Sequence, residues 1–177
     1  PHPNTVHFVG SSDVYKRQKL PQTQEEIIPK AISEVILQVI KTKTGSILVF
    51  LPGEAEIIKV AASLKGQVPT DCRIFPLYGR LDFKDQQNAI KPLSEGREIV
   101  LATNVAETSL TIEGIDHVID SGLSKRSIYD SSSGMARLVT QKISKSEADQ
   151  RMGRAGRLAP GNCYKLWSKS QDGSFPE

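Results

Sequence analysis

Three arginines and a glutamine stand within eight residues, Gln150-Arg151-Met152-Gly153-Arg154-Ala155-Gly156-Arg157. Guanidinium forks match phosphate oxygens in planar, paired hydrogen bonds better than an ammonium does, so this run is suited to holding a polyanion. Ser144 followed by Glu147 predicts a capping box that opens a helix at Lys145, with Ile143 and Ala148 as a weak hydrophobic staple. A helix over Lys145 to Ala155 would put Gln150, Arg154 and roughly Arg157 on one face, at the i, i+4, i+7 spacing. Gly153 costs a helix interior about 1 kcal/mol relative to Ala, and Gly156 is expected to end the helix. Close approach of another backbone or of a ligand is the expected reason for both glycines. The plainer alternative is a solvated basic helix end.

A second block, Val100 to Gly114 (VLATNVAETSLTIEG), begins in an apolar run and passes into hydroxyl and amide side chains. Open α/β sheets place their ligands at the carboxyl edge, where such a strand would end. Thr103, Asn104, Thr108, Ser109 and Thr111 can bind phosphate or sugar oxygens without demanding a particular base. The alternative is a turn followed by an N-cap, with the hydroxyls satisfying backbone groups.

Elements that could position these residues alternate along the chain. Strands are expected at Thr5 to Val9, Ser46 to Leu51, Arg73 to Leu77, Glu98 to Ala102, His117 to Asp120 and Cys163 to Leu166, several rich in Val, Ile and Leu. Helices are expected at about Glu25 to Lys41, Glu54 to Lys65, Phe83 to Pro92 and Lys145 to Ala155. That is the βαβ pattern of an α/β fold, a mostly parallel sheet with helices on both faces. The first long helix carries an apolar stripe of Ile28, Ile32, Val35, Ile36, Val39 and Ile40. Its start is open, because Thr23 with Glu26 reads as a capping box whereas Pro29 prefers a first turn. Residues 10–20, polar and without period, are expected to be a loop. Between Lys125 and Gln141, the runs Ser127 to Asp130 and Met135 to Val139 flank the turn cluster Ser131-Ser132-Ser133-Gly134, so a hairpin should project from the domain.

A chain of 177 residues suits one domain with one core. Hydrophobic content of 38% and charged content of 24% are those of a soluble globular protein, and no apolar run has the length of a membrane span. A net charge of +3 tolerates nucleic acid without establishing it. Cys72 and Cys163 are the only cysteines, far apart and outside any metal-binding spacing, so neither a disulfide framework nor a metal site is indicated and a reducing, cytoplasmic setting is expected. The chain begins at Pro1, so a preceding segment is expected to be missing.

Taken in order, Ile47-Leu48-Val49-Phe50-Leu51-Pro52-Gly53-Glu54-Ala55-Glu56-Ile57, Pro76-Leu77-Tyr78-Gly79, Thr103 to Ser109 and Gln150 to Arg157 resemble motifs IV, IVa, V and VI of DEAH-box superfamily 2 helicases. The resemblance is to the second RecA-like domain of that family. Thr111-Ile112-Glu113-Gly114-Ile115 is most similar to the bacterial HrpB type. It spans about His2 to Ser168, so residues 1–168 are expected to be one helicase C-terminal domain of RecA-like, P-loop NTPase-type fold. Residues 169–177 would begin the linker to a following domain.

The resemblance implies an NTP-driven motor that moves along single-stranded nucleic acid, RNA favoured, and opens duplexes. It implies that Arg154 and Arg157 are arginine fingers on the γ-phosphate, and that Gln150 places a phosphate oxygen or the attacking water. It further implies that Thr103, Asn104, Thr111 and the backbone near Gly79 hold nucleic-acid phosphates, while Ser109 and Thr108 lie near the nucleotide. Glu113 stands where relatives often have an aspartate facing the ribose, a longer arm on the same carboxylate. Ile90 stands where many relatives stack a phenylalanine on the base, and loss of that π-face predicts weak base selectivity, so NTPs other than ATP would serve. The hairpin is similar to one that the family places near the point of strand separation.

No GxxxxGK[ST] and no Asp-Glu-x-His occurs in the sequence. ATP or another NTP, with Mg, would be held mainly by a first RecA-like domain in cis, and the fragment alone is expected to be inactive. The alternative is a non-catalytic nucleic-acid-binding or protein-docking module on the same scaffold, which gives no reason for Gln150, Arg154 and Arg157 to stand together. A dinucleotide-binding enzyme lacks its GxGxxG turn and a serine hydrolase its GxSxG.

Overall fold

The computed structural model describes residues 4–9, 24–108, 110–132, 134–156 and 160–176. Its elements run β1 (Thr5–Phe8), α1 (Gln24–Thr42), β2 (Ser46–Phe50), α2 (Glu54–Leu64), β3 (Cys72–Leu77), α3 (Phe83–Ile90), β4 (Arg97–Ala102), α4 (Val105–Thr108) and β5 (Ile115–Asp120). The hairpin strands β6 (Leu123–Asp130) and β7 (Met135–Lys142) follow, then α5 (Lys145–Met152), β8 (Asn162–Lys165) and α6 (Lys169–Asp172). Six strands form one sheet in the order β1-β8-β5-β2-β4-β3, and every pairing in it is parallel. The expected α/β fold, with a parallel sheet and a separate two-stranded hairpin, is therefore the one observed.

Parallel strands must be covered on both faces, which explains why β2, β4 and β5 are almost continuously buried. One face packs Ile28, Ile32, Val35, Ile36 and Val39 of α1 and Ile57, Val60 and Leu64 of α2 against Ile47, Val49, Ile99 and Leu101. The other carries Leu48, Phe50, Val100, Ala102 and Val118, covered by Ala89 and Ile90 of α3, Ala106 of α4, and Met152 and Ala155. Alternate residues of β2 and β4 thus feed opposite cores, as strand geometry requires.

Several boundaries differ from the sequence expectation for identifiable reasons. Helix α3 ends at Ile90 rather than Pro92, since Lys91 is extended, the conformation favoured before a proline. Pro29 lies inside α1, not in its first turn, and its carbonyl accepts a hydrogen bond from Ser33 Oγ at 2.8 Å. The capping role expected of Thr23 and the loop expected over 10–20 lie outside the described residues. The hairpin strands are eight residues each, longer than expected at their root, where Lys125 N donates to Pro52 O and Ile143 N to Gly122 O.

That root is held by charge as well. Lys125 Nζ bonds both carboxylate oxygens of buried Glu56 at 3.0 Å, and Arg126 Nη2 bonds Glu147 of α5. A Cβ on Gly53 would stand 2.8 Å from Lys125 Cδ and 3.0 Å from Glu56 Oε2, so the glycine leaves room for this pair. Residues 169–176, expected to begin a linker, are packed on the domain as far as Pro176. Phe175 is buried against Trp167 at a ring separation of 4.8 Å, and Pro176 O accepts from Lys145 N.

Candidate nucleotide and nucleic-acid site

Because all six strands run the same way, the segments after β2, β3 and β4 emerge on one edge. Pro52-Gly53, Tyr78-Gly79 and Thr103-Asn104 are those segments. Gly79 and Asn104 are exposed and Thr103 is half-buried. Thr103 N donates to Leu77 O at 3.1 Å, which ties the turn after β4 to the end of β3. Nothing lies within 4 Å of the position a Gly79 Cβ would take, so the backbone there is open to approach.

The chain then turns through α4, whose turns are closed by Ala106 N to Thr103 O and Glu107 N to Asn104 O. Ile115 opens β5 at the opposite edge, so residues 110–114 must descend the depth of the sheet along its α3 face. Ile112 is buried there, while Thr111 and Glu113 are exposed. Both thus face solvent on the segment that leads from that edge to the start of β5. Ile90, at the far end of α3, packs half-buried on the same face.

Helix α5 starts as expected. Ser144 Oγ accepts from Glu147 N, Glu147 Oε2 accepts from Ser144 N, and Ile143 and Ala148 are buried in one cluster. Burial pushes the Glu147 carboxyl up, but its hydrogen bonds from Ser144 and the charges of Arg126 and Arg151 outweigh this and hold it below its ordinary range.

The end of α5 corrects the sequence reading. The helix stops at Met152, with Gly153 as its C-cap, and tightens through Arg154 N to Arg151 O at 3.1 Å and Ala155 N to Met152 O at 3.1 Å. Gln150 is exposed on the helix, but Arg154 lies beyond it and is half-buried, so an uninterrupted i, i+4 helical face does not position the pair. The Arg154 guanidinium is instead held by two backbone carbonyls: Nη1 donates to Leu110 O at 3.1 Å and Nη2 donates to Glu107 O. It thus links the end of α4 to Leu110.

The glycines divide. Gly153 has no approaching backbone from elsewhere among the described residues; the nearest atoms to its Cβ position are the Asp149 and Gln150 carbonyls of its own turn, at 3.3 and 3.5 Å. Gly156 has a φ of 66°, donates to Ile115 O at 3.0 Å, and its N is 2.6 Å from where a Gly161 Cβ would be. Only glycines allow that conformation and that contact without strain. Ser109 and Arg157 lie outside the described residues, and so does the Thr108 side chain.

Sequence reasoning left Arg151 without a role. It is fully buried, at 0% exposure, and it donates to Glu107 Oε1 at 2.6 Å, Asp120 Oδ1 at 2.8 Å and Leu123 O at 3.3 Å. Its guanidinium lies 4.9 Å from the Phe50 ring centroid. Burial opposes its charge, but Asp120 and Glu107 outweigh that and keep its pKa above the ordinary value. The Glu107 carboxyl bears the burial cost: it is pushed up, and Arg151 pulls it back only in part. A signal for this was present, because Ala148, Arg151, Met152 and Ala155 fall at i, i+3, i+4, i+7, the inward stripe of a helix.

No helix among the described residues is long and apolar enough to cross a membrane, and no His/Cys/Asp/Glu group among them is gathered as metal donors. A six-stranded parallel sheet in this order, with helices on both faces, defines the RecA-like fold class. The family described as "Helicase conserved C-terminal domain" matches residues 29–159, and this chain belongs to it.

The chain is 40% identical over 172 residues to the ATP-dependent RNA helicase HrpB of Escherichia coli (strain K12), covering 97% of this chain and 21% of that protein. Against the pre-mRNA-splicing factor ATP-dependent RNA helicase prp22 of Schizosaccharomyces pombe it is 38% identical, over 84% of this chain and 13% of that protein. The crystal structure of the E. coli DExH-box NTPase HrpB superposes with a TM-score of 0.82 at 37% identity, covering 99% of this chain and 20% of that one. The chain thus spans about a fifth or less of the curated relatives it matches.

Proposed function

We propose that this chain is the second motor domain of an ATP-dependent RNA helicase, supplying arginine fingers and backbone-directed contacts to single-stranded RNA. The observation that carries the reading is the seat of Arg154: its guanidinium rests on the carbonyls of Glu107 and Leu110. One side chain thereby joins the arginine-rich turn to the hydroxyl-rich segment that begins at the Thr103 edge.

In this reading Thr103, Asn104 and the open backbone at Gly79 grip phosphates of the strand at the carboxyl edge, with Thr111 further along the same segment. Thr108, Ser109, Glu113 and Ile90 would serve the nucleotide. Arg154 and Arg157 place positive charge on the γ-phosphate, and Gln150 orients an oxygen beside it. Phosphoryl transfer depends on such positioning and charge stabilisation, and one finger is worth about 10³ to 10⁵ in rate, roughly 4 to 7 kcal/mol of barrier. The donors of this domain fit the phosphates of the nucleotide rather than its metal. Mg-NTP bound on a first RecA-like domain supplies the bond to be broken. Closure of the two domains would exchange the carbonyl partners of Arg154 for phosphate oxygens and so link the nucleotide to the grip on RNA.

The test is NTP hydrolysis by the complete parent protein, with and without RNA, beside this 177-residue chain alone. RNA-stimulated turnover by the parent and none by the isolated chain is expected. Turnover by the chain alone, or none by the parent, would contradict the assignment.

A further inference from the structure

Arg151 touches more of the site than any group assigned a role above. From α5 it reaches α4 through Glu107, the end of β5 through Asp120 and the start of β6 through the Leu123 carbonyl. Glu107 is used twice: its carboxylate takes Arg151, and its backbone carbonyl takes Arg154. Asp120 is also used twice, since Oδ1 accepts from Gly122 N at 2.9 Å, in the turn that leads into the hairpin. A guanidinium removed from water is costly, and a buried ion pair is often no more stabilising than an apolar replacement. A purely structural role therefore gives weak reason for a fully buried arginine here, whereas fixing the geometry of several elements at once gives a strong one.

We infer that Arg151, acting with Glu107, is a positioning residue that joins the arginine-finger turn, the RNA-gripping segment and the hairpin root into one rigid body. It reaches neither the nucleotide nor RNA. It acts through Glu107, whose carbonyl holds Arg154 until closure, so that movement of Arg154 onto a phosphate is felt at Thr103 and at Leu123. This rests on the proposed finger role of Arg154.

The experiment uses the complete parent protein and two variants, Glu107→Gln and Arg151→Lys. Glu107→Gln keeps the side-chain shape and leaves Asp120 to compensate the arginine, so folding is retained even where Arg151→Lys unfolds. Steady-state hydrolysis is measured with and without single-stranded RNA, together with the KM for NTP and the thermal midpoint. Misplacing a reacting group by about 1 Å can cost on the order of 100-fold, so a fall of about tenfold or more in RNA-stimulated kcat is expected for Glu107→Gln. The KM for NTP should stay within about twofold, because misplacing the finger removes stabilisation made only in the transition state and leaves ground-state binding intact. The ratio of stimulated to basal turnover should fall as well. That ratio does not depend on the fraction of folded enzyme, so a merely structural role would leave it unchanged.

An unchanged ratio in Glu107→Gln, alongside Arg154→Ala that has lost turnover, overturns the positioning role and leaves the finger assignment standing. Full turnover in Arg154→Ala overturns the reading beneath both. Loss of turnover in both variants with the stimulation ratio of Glu107→Gln intact also counts against the inference.

Discussion

Arg151 and Arg154 are three positions apart and touch different groups. One is enclosed between two carboxylates, and the other rests on neutral carbonyls at a half-buried turn. A run of arginines does not distinguish them by residue type. The inward spacing with Ala148 and Ala155 does, but a charged residue at an inward position is not expected until its partners are known, and Glu107 and Asp120 are distant in sequence. Gly156 is the other residue on which the turn depends. Its positive φ predicts that Gly156→Ala destabilises the domain by about 1 to 2 kcal/mol, read as a lower midpoint in denaturant unfolding. A midpoint equal to the parent's would show that the turn relaxes without cost.

At the level of elements, α5 is the piece whose placement decides the site. Its capping box closes through Ser144 and Glu147, so Ser144→Ala should cost about 1 kcal/mol at neutral pH. The folded Glu147 carboxyl lies below its ordinary, unfolded value. Its contribution is therefore fully present above that ordinary value and is lost as pH falls through the folded one. Unfolding followed from neutral to acidic pH should show Ser144→Ala losing less stability on the acid side than the parent; parallel curves would deny the linkage. The start of this helix was legible because a capping box is a local signal. Its end was not, since Gly153 can either interrupt a helix or be tolerated within one. The central strands β2, β4 and β5 were legible from their apolar runs, because buried parallel strands need no alternation. The four-residue α4 and α6 are too short to show a period, and the path from Leu110 to Gly114 down the sheet face follows only from knowing that β5 is parallel to β4.

For the whole molecule, the proposed function divides two tasks between the carboxyl edge and the α3 face of the sheet. Thr103, Asn104 and the open backbone at Gly79 stand at the carboxyl edge, while Ile90, Leu110 and Ile112 pack on the α3 face. The segment 103–115 runs from one to the other, and residues 154–156 bind it at Glu107, Leu110 and Ile115. Under the proposed function, such a body would transmit a change at the nucleotide to the grip on RNA without a long pathway, because one segment would make both sets of contacts. The four motif blocks were legible as helicase motifs, and the fold and family agree with them. The seat of Arg154 on the carbonyls of Glu107 and Leu110 was not, since spacing along a chain does not report which distant segments meet.

The most direct test of the central claim is RNA-stimulated NTP hydrolysis by the complete protein carrying Arg154→Ala, with RNA affinity measured on the same preparation. Turnover should fall by about 10³-fold or more while RNA affinity stays close to the parent's. Turnover equal to the parent's would contradict the account.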